Sequence, residues 1–249
     1  MAYGAKLNWL LKPTAHRSLH DISRGIIENS ASAVEAAIVG GYNIEVDLQA
    51  ARDGAPIVFH DAELMRLTGQ PGAVKDRSLA ELCQIPLTGS ADRILSLAEL
   101  LDRVRGRTGL LLEIKGEWNG DERFVRAIAE QLAAYRGPVA VMSFDPYVVG
   151  AFERLAPEIP RGLVACRFEK ADWPGLSPFK RFAMRRLLTA AIAKPAFIAY
   201  DIRALPAAAP AIARKVFGLP LLTWTVRTEA DKARAKAHAD AMIFETIEP

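Results

Sequence analysis

Short apolar runs recur along the whole chain, and most are separated by stretches of helical spacing: WLLKPTAHR, YNIEVDLQ, APIVFHD, GLLLEIK, PVAVMSF, RGLVAC, AFIAYD, PLLTWTV and DAMIFE. Strand and helix in repeated alternation argue for a parallel sheet, since the helices supply the crossovers that parallel neighbours need. At 249 residues that sheet is either doubly wound or closed into an α/β barrel. No Gly-rich phosphate loop of the P-loop or dinucleotide type is present, which weakens the doubly wound nucleotide-binding option. Nine candidates compete for eight barrel places, and the surplus is expected in the 160–201 region. No linker, repeat or low-complexity tract divides the sequence, so residues 1–249 read as one domain.

Two stretches break the rhythm. Residues 62–95 show little strand pattern and several turn residues, which marks a small insertion after the third strand candidate. Residues 167–194 place Phe179, Phe182, Arg181, Arg185, Arg186 and Lys194 on a helix, read as a solvated basic face over a partly apolar one, with a lipid-surface or lid role as the alternative. Helix starts are expected at two Ser-x-x-Glu boxes, Ser32 with Glu35 and Ser96 with Glu99. A third helix is expected over Glu122 to Tyr135, with Phe124, Ile128 and Leu132 in helical register.

Hydrophobic residues make up 51 % of the chain, enough for one large core, and the net charge of +3 is too mild to call for nucleic acid. Two cysteines, Cys83 and Cys166, fit neither a metal motif nor a disulfide framework. No apolar run reaches membrane-span length and the start does not resemble a signal peptide. A cytoplasmic protein without stable membrane insertion is the expectation.

Strand faces alternate with period two. In YNIEVDLQ, Ile44, Val46 and Leu48 share one face while Glu45, Asp47 and Gln49 share the other. In GLLLEIK, Leu111, Glu113 and Lys115 oppose Leu110, Leu112 and Ile114. In a barrel the outer face lies under helices, so the polar faces point inward. Three converging carboxylates, Glu45, Asp47 and Glu113, then repel one another unless a cation or protons intervene. All-oxygen ligands suit one hard divalent ion, Mg2+ or Ca2+. These groups precede turns, at the strand ends where barrel enzymes place their chemistry. His16 and His60 lie at the same mouth and read as a general acid–base pair around an anionic centre, with Arg17 and Lys115 as phosphate contacts. His20 is a weaker candidate, and His238 is expected at the surface.

Taken in order, AHRS, GIIENS, YNIEVDLQAARDGAPIVFHD, LLLEIK, MSF, TWTV and ADAMIFE resemble the glycerophosphodiester phosphodiesterase family. The likeness is strongest over residues 14–61 and 109–115. It implies a TIM (β/α)8 barrel, with His16 and His60 catalytic and Glu45, Asp47 and Glu113 as metal ligands. It also implies substrate contacts from Arg17, Lys115, Trp224 and Glu28. Two positions depart from the family pattern: Ser18 stands where the family usually has Gly, and Glu245 stands near a common Asp. The implied reaction is hydrolysis of a small-molecule glycerophosphodiester to glycerol 3-phosphate and an alcohol, with water or the glycerol 2-hydroxyl as nucleophile. Other readings are a lysophospholipase D, an inactive barrel that binds phosphorylated ligands, and a metal-dependent sugar-phosphate lyase or isomerase.

Overall fold

The computed structural model describes residues 5–249. Ten strands form one sheet: β1 (Thr14–Ala15), β2 (Asn43–Ala50), β3 (Pro56–Val58), β4 (Leu95–Ser96), β5 (Leu110–Ile114), β6 (Val139–Ser143), β7 (Arg161–Ala165), β8 (Phe197–Asp201), β9 (Leu221–Val226) and β10 (Ala241–Phe244). Eight of them run parallel in the order β1-β2-β5-β6-β7-β8-β9-β10, and β1 pairs with both β10 and β2, closing a TIM barrel. The remaining two are antiparallel: β3 pairs with β2 and β4 with β3.

The surplus candidate is therefore Pro56–Val58, and not a run within 160–201, since Arg161–Ala165 and Phe197–Asp201 both take barrel places. The reason is chain length. Only residues 51–55 separate β2 from β3, too few for a crossover, so the chain can only turn back on itself. Gly54, at φ 77°, and the bond from Ala51 N–H to the Ala55 carbonyl make that reversal.

The strand faces divide the core. Ile44, Val46, Leu48, Leu110, Leu112 and Ile114 belong to the layer beneath the helices. Leu111, Ala140, Met142, Val164, Phe197 and Leu222 pack inside the barrel. The run WLL is not strand: residues Ala5–Leu11 form a 3-10 helix that packs Leu7 and Leu10 against this interior cluster. Asn43 Nδ2 donates to the Trp9 carbonyl (2.7 Å), which holds that helix at the N-terminal ends of the strands.

Residues 62–95 contain three short helical turns and share a third apolar cluster that includes Ile57, Phe59, Leu64, Leu67, Leu82 and Ile94. The Ser96–Glu99 capping box forms. The Ser32–Glu35 box does not. Helix Ala31–Val39 is capped by Ser30, whose Oγ accepts from Ala33 N–H, while Glu35 pairs with Arg107 instead. The third expected helix runs from Arg123 to Ala133 and buries Ile128 and Leu132. Among the described residues no helix is long and apolar enough to cross a membrane.

Candidate active site

Parallel register sets Asp47 of β2 beside Glu113 of β5, with Glu45 two residues earlier on the same inward face. Each offers a carboxylate oxygen, and these oxygens lie within 4.8 Å of one another, all on buried residues. Lys115 reaches both Asp47 (2.6 Å) and Glu113. Glu45 accepts the Arg17 backbone N–H at 2.7 Å. Asn29 Nδ2 donates to Asp47 Oδ2 (3.0 Å), and the Asp47 N–H returns a bond to Asn29 Oδ1 (3.3 Å).

Burial and the charges of Asp47 and Glu113 push the Glu45 carboxyl well above the usual range. Burial also opposes ionisation of Asp47, but Lys115, His60 and Arg17 override it and hold that carboxyl well down. For Lys115, the nearby carboxylates likewise outweigh burial and raise its affinity for the proton. The protein's own cations thus leave the third negative charge uncompensated. A hard divalent cation fits this donor set, which is three buried oxygen ligands short of positive charge.

The two predicted histidines are held alike. His16, following β1, places Nδ1 2.7 Å from Glu245 Oε2. His60, following β3, places Nδ1 2.8 Å from Asp61 Oδ1. His16 and Arg227 overcome the effect of burial and draw the Glu245 carboxyl down to about 2. Arg66 and His60 likewise hold Asp61 down against burial. Both carboxylates are ionised at neutral pH and can only accept, so each imidazole carries its proton on Nδ1 when neutral and leaves Nε2 for proton exchange. Burial lowers the His60 value, with Asp47 opposing it. Burial lowers His20 too, and its Nε2 is enclosed without a hydrogen-bond partner among the described residues. His238 is half-buried in the last turn of helix Glu229–His238, which leads into the N-terminal end of β10, away from the mouth.

A residue that the sequence pattern did not single out ties the two sides of this site together. Arg66, in the short helix Met65–Thr68 of the 62–95 segment, donates to both oxygens of Asp61 (2.5 and 2.9 Å). The same guanidinium donates to both oxygens of Glu28 (2.9 and 2.7 Å), and Glu28 accepts from Arg17 at 2.8 Å. His60, Asp61, Arg66, Glu28 and Arg17 form one continuous chain of contacts. The sequence reading marks His60, Glu28 and Arg17 of this chain of contacts, but not Arg66, six positions after His60, which joins them.

Ser18 keeps the backbone shape that a glycine would favour. Its φ is 67°, its N–H donates to the Glu45 carbonyl (2.8 Å), and its buried Oγ has no partner among the described residues. An L-residue pays about 1–2 kcal/mol for that conformation. The Arg17 and Ser18 amides are thereby both directed at Glu45.

Across the mouth the lining changes character. Trp224, on β9, meets Phe144 edge-on with ring centroids 5.5 Å apart. Trp173 packs on Phe144 (5.2 Å) and Phe168 (5.1 Å), and Trp118 stands edge-on to Trp173 (5.9 Å). Trp224 is half-buried, and its indole N–H is enclosed without a partner among the described residues. One wall is charged and the facing wall is aromatic.

A parallel eight-stranded barrel with carboxylates, imidazoles and a guanidinium gathered at its strand C-termini defines a TIM-barrel protein with a polar mouth. The chain belongs to the glycerophosphoryl diester phosphodiesterase family, whose sequence profile matches residues 16–248. It is 29 % identical over 154 residues to a glycerophosphodiester phosphodiesterase of Caldanaerobacter subterraneus subsp. tengcongensis, covering 57 % of this chain and 63 % of that protein. It is 31 % identical over 143 residues to a glycerophosphodiester phosphodiesterase of Bacillus altitudinis, covering 53 % and 58 %. The matched stretch thus spans about three-fifths of the length of these curated relatives. The fold is similar to that of an Oleispira antarctica phosphodiesterase solved with the product sn-glycerol-3-phosphate, with a TM-score of 0.77 at 23 % identity over 94 % of this chain and 92 % of that one. It is also similar to a Thermotoga maritima glycerophosphodiester phosphodiesterase, with a TM-score of 0.69 at 20 % identity over 93 % and 92 %.

Proposed function

We propose that this chain, as a single catalytic barrel, hydrolyses water-soluble glycerophosphodiesters to glycerol 3-phosphate and an alcohol. The observation that carries the reading is the matched anchoring of His16 and His60, each with Nδ1 on an ionised carboxylate beside the acidic cluster. One imidazole takes, through Nε2, the proton of the attacking hydroxyl as its oxygen bonds to phosphorus; that hydroxyl is water, or the glycerol 2-hydroxyl by way of a cyclic phosphate that water then opens. The other donates a proton to the departing alkoxide, so the P–O bond to the head group breaks without releasing a bare alkoxide. Arg17 and Lys115 face the phosphate oxygens, and Trp224 packs against the apolar part of the substrate. Glu45, Asp47 and Glu113 would hold one Mg2+ or Ca2+. When bound, that ion neutralises phosphate charge and lowers the pKa of a coordinated hydroxyl. The family membership and the product bound in the Oleispira antarctica structure support this substrate class. Cys83 and Cys166, both free and buried, support a reducing cytoplasmic setting. The assay that tests the reading is hydrolysis of glycerophosphocholine by the purified protein, with and without chelator.

In this scheme Arg66 is a positioning residue, since it reaches the reacting groups only through Asp61 and Glu28. Arg66→Gln is expected to lower kcat by roughly 10–100-fold, the usual cost of losing a supporting contact at such a site. Arg66→Lys recovers only part of the loss, because a single ammonium cannot span four carboxylate oxygens. Steady-state kinetics across pH check this. Wild-type kcat and an unmoved pH profile in Arg66→Gln would remove the residue from the mechanism.

A further inference from the structure

The 167–194 stretch differs from its expected form. It contains two short helices, Pro178–Arg185 and Ala190–Ala193, instead of one continuous helix. Its aromatic residues are not the covered side: Phe179 is 76 % and Phe182 44 % exposed, while Met184 and Leu187 anchor the segment in the core. Helical spacing puts Phe179, Phe182 and Arg186 on one outward face, and the Arg186 guanidinium lies 5.7 Å from the Phe182 ring centroid.

The charges here stand apart as well. Residues 177–194 hold five lysines and arginines and no carboxylate. Among the described residues, Lys180, Arg181, Arg185 and Arg186 take part in no ion pair, although Arg66, Arg107, Arg154 and Arg214, elsewhere on the surface, each have a carboxylate partner. The segment also sits at the rim of the barrel mouth. It follows the C-terminal end of β7 through the loop that carries Phe168 and Trp173 of the aromatic wall. Tyr200, next to the C-terminal end of β8, donates its hydroxyl to the Arg185 carbonyl at 3.1 Å.

We infer that this face docks the protein on an anionic lipid surface. Exposed phenylalanines beside unpaired cations on a short amphipathic helix match the chemistry of a headgroup layer, where rings enter the acyl boundary and cations meet lipid phosphate. Charge complementarity selects the occupant: a zwitterionic bilayer offers the rings a site but gives the three exposed cations, Lys180, Arg185 and Arg186, no net charge. Because the helix stands on the rim, docking brings the mouth to the membrane surface. The inference concerns where the protein sits and does not depend on the proposed reaction.

The test is flotation of the full chain with vesicles of phosphatidylcholine alone or mixed with phosphatidylglycerol, which requires no turnover. Binding is expected to the phosphatidylglycerol vesicles at low ionic strength and to fall as salt rises. Replacing Lys180, Arg185 and Arg186 by Gln together is expected to weaken it roughly a hundredfold, at about fivefold per charge. Phe179→Ser with Phe182→Ser is expected to weaken it at least about tenfold while leaving retention on heparin unchanged, because a soluble polyanion offers no apolar layer. These side chains are exposed, so both variants should melt as the parent does. Equal binding to both vesicle types, no binding to either, or unchanged vesicle binding by the phenylalanine variant would each overturn the inference. The last result would instead assign the face to a soluble polyanion such as nucleic acid.

Discussion

Glu45→Gln is expected to lower turnover by about 10²–10³-fold or more, on the scale of removing a principal electrostatic stabiliser of the transition state. The substitution keeps the shape of the side chain and can still accept the Arg17 amide that now bonds to Glu45 at 2.7 Å. What it removes is one of the three negative charges that would hold a divalent cation. The same change should not weaken the metal-free fold. Burial and the neighbouring carboxylates already push this carboxyl toward its neutral form, so a neutral amide relieves repulsion. The melting temperature in chelator should therefore equal or exceed that of the parent, while the upward shift on adding Mg2+ or Ca2+ should shrink or vanish. A variant that kept both its metal-induced shift and its turnover would remove Glu45 from the metal site.

His16→Ala and His60→Ala are each expected to cost roughly 10²–10⁴-fold in kcat, the usual worth of positioned proton transfer. The two imidazoles act in one reaction, so the double variant should cost far less than the product of the single losses. Losses that multiply would mean independent roles, and a near-normal single variant would exclude that histidine. Because each ring is fixed through Nδ1 to a carboxylate, Glu245→Gln and Asp61→Asn offer a milder comparison. Each keeps a hydrogen-bonding group facing the ring but removes the carboxylate's charge.

The acidic cluster was legible because period-two alternation in β2 and β5 separates Ile44, Val46 and Leu48 from Glu45 and Asp47, and parallel strands leave only the inward face for the charged set. Pro56–Val58 was misplaced because its apolar run outweighed the shortness of residues 51–55, although that gap alone dictates an antiparallel return. Ser30 and Ser32 both stand where the helix begins, and in sequence either can cap it; in the structure Ser30 caps and Ser32 lies in the first turn. The choice depends on Asp92, sixty residues away, which accepts the Ser32 N–H. Arg66 was hidden for a similar reason. Its partners Glu28 and Asp61 come from different loops, and a folded 62–95 segment is needed to bring the guanidinium between them. For helix Pro178–Arg185, helical spacing shows that Phe179 and Phe182 share a side and says nothing of what covers it, so a solvated basic face and a lipid-facing one look the same in the sequence.

The proposed reaction breaks the bond between a glycerol phosphate and its head group at the mouth of this barrel, with the help of a bound divalent cation. Product analysis of glycerophosphocholine hydrolysis by the purified protein tests it most directly. The expected result is glycerol 3-phosphate and choline in equal amounts, abolished by excess chelator and restored by Mg2+ or Ca2+. Release of phosphocholine and glycerol, full activity in chelator, or no product with either ion present would contradict it.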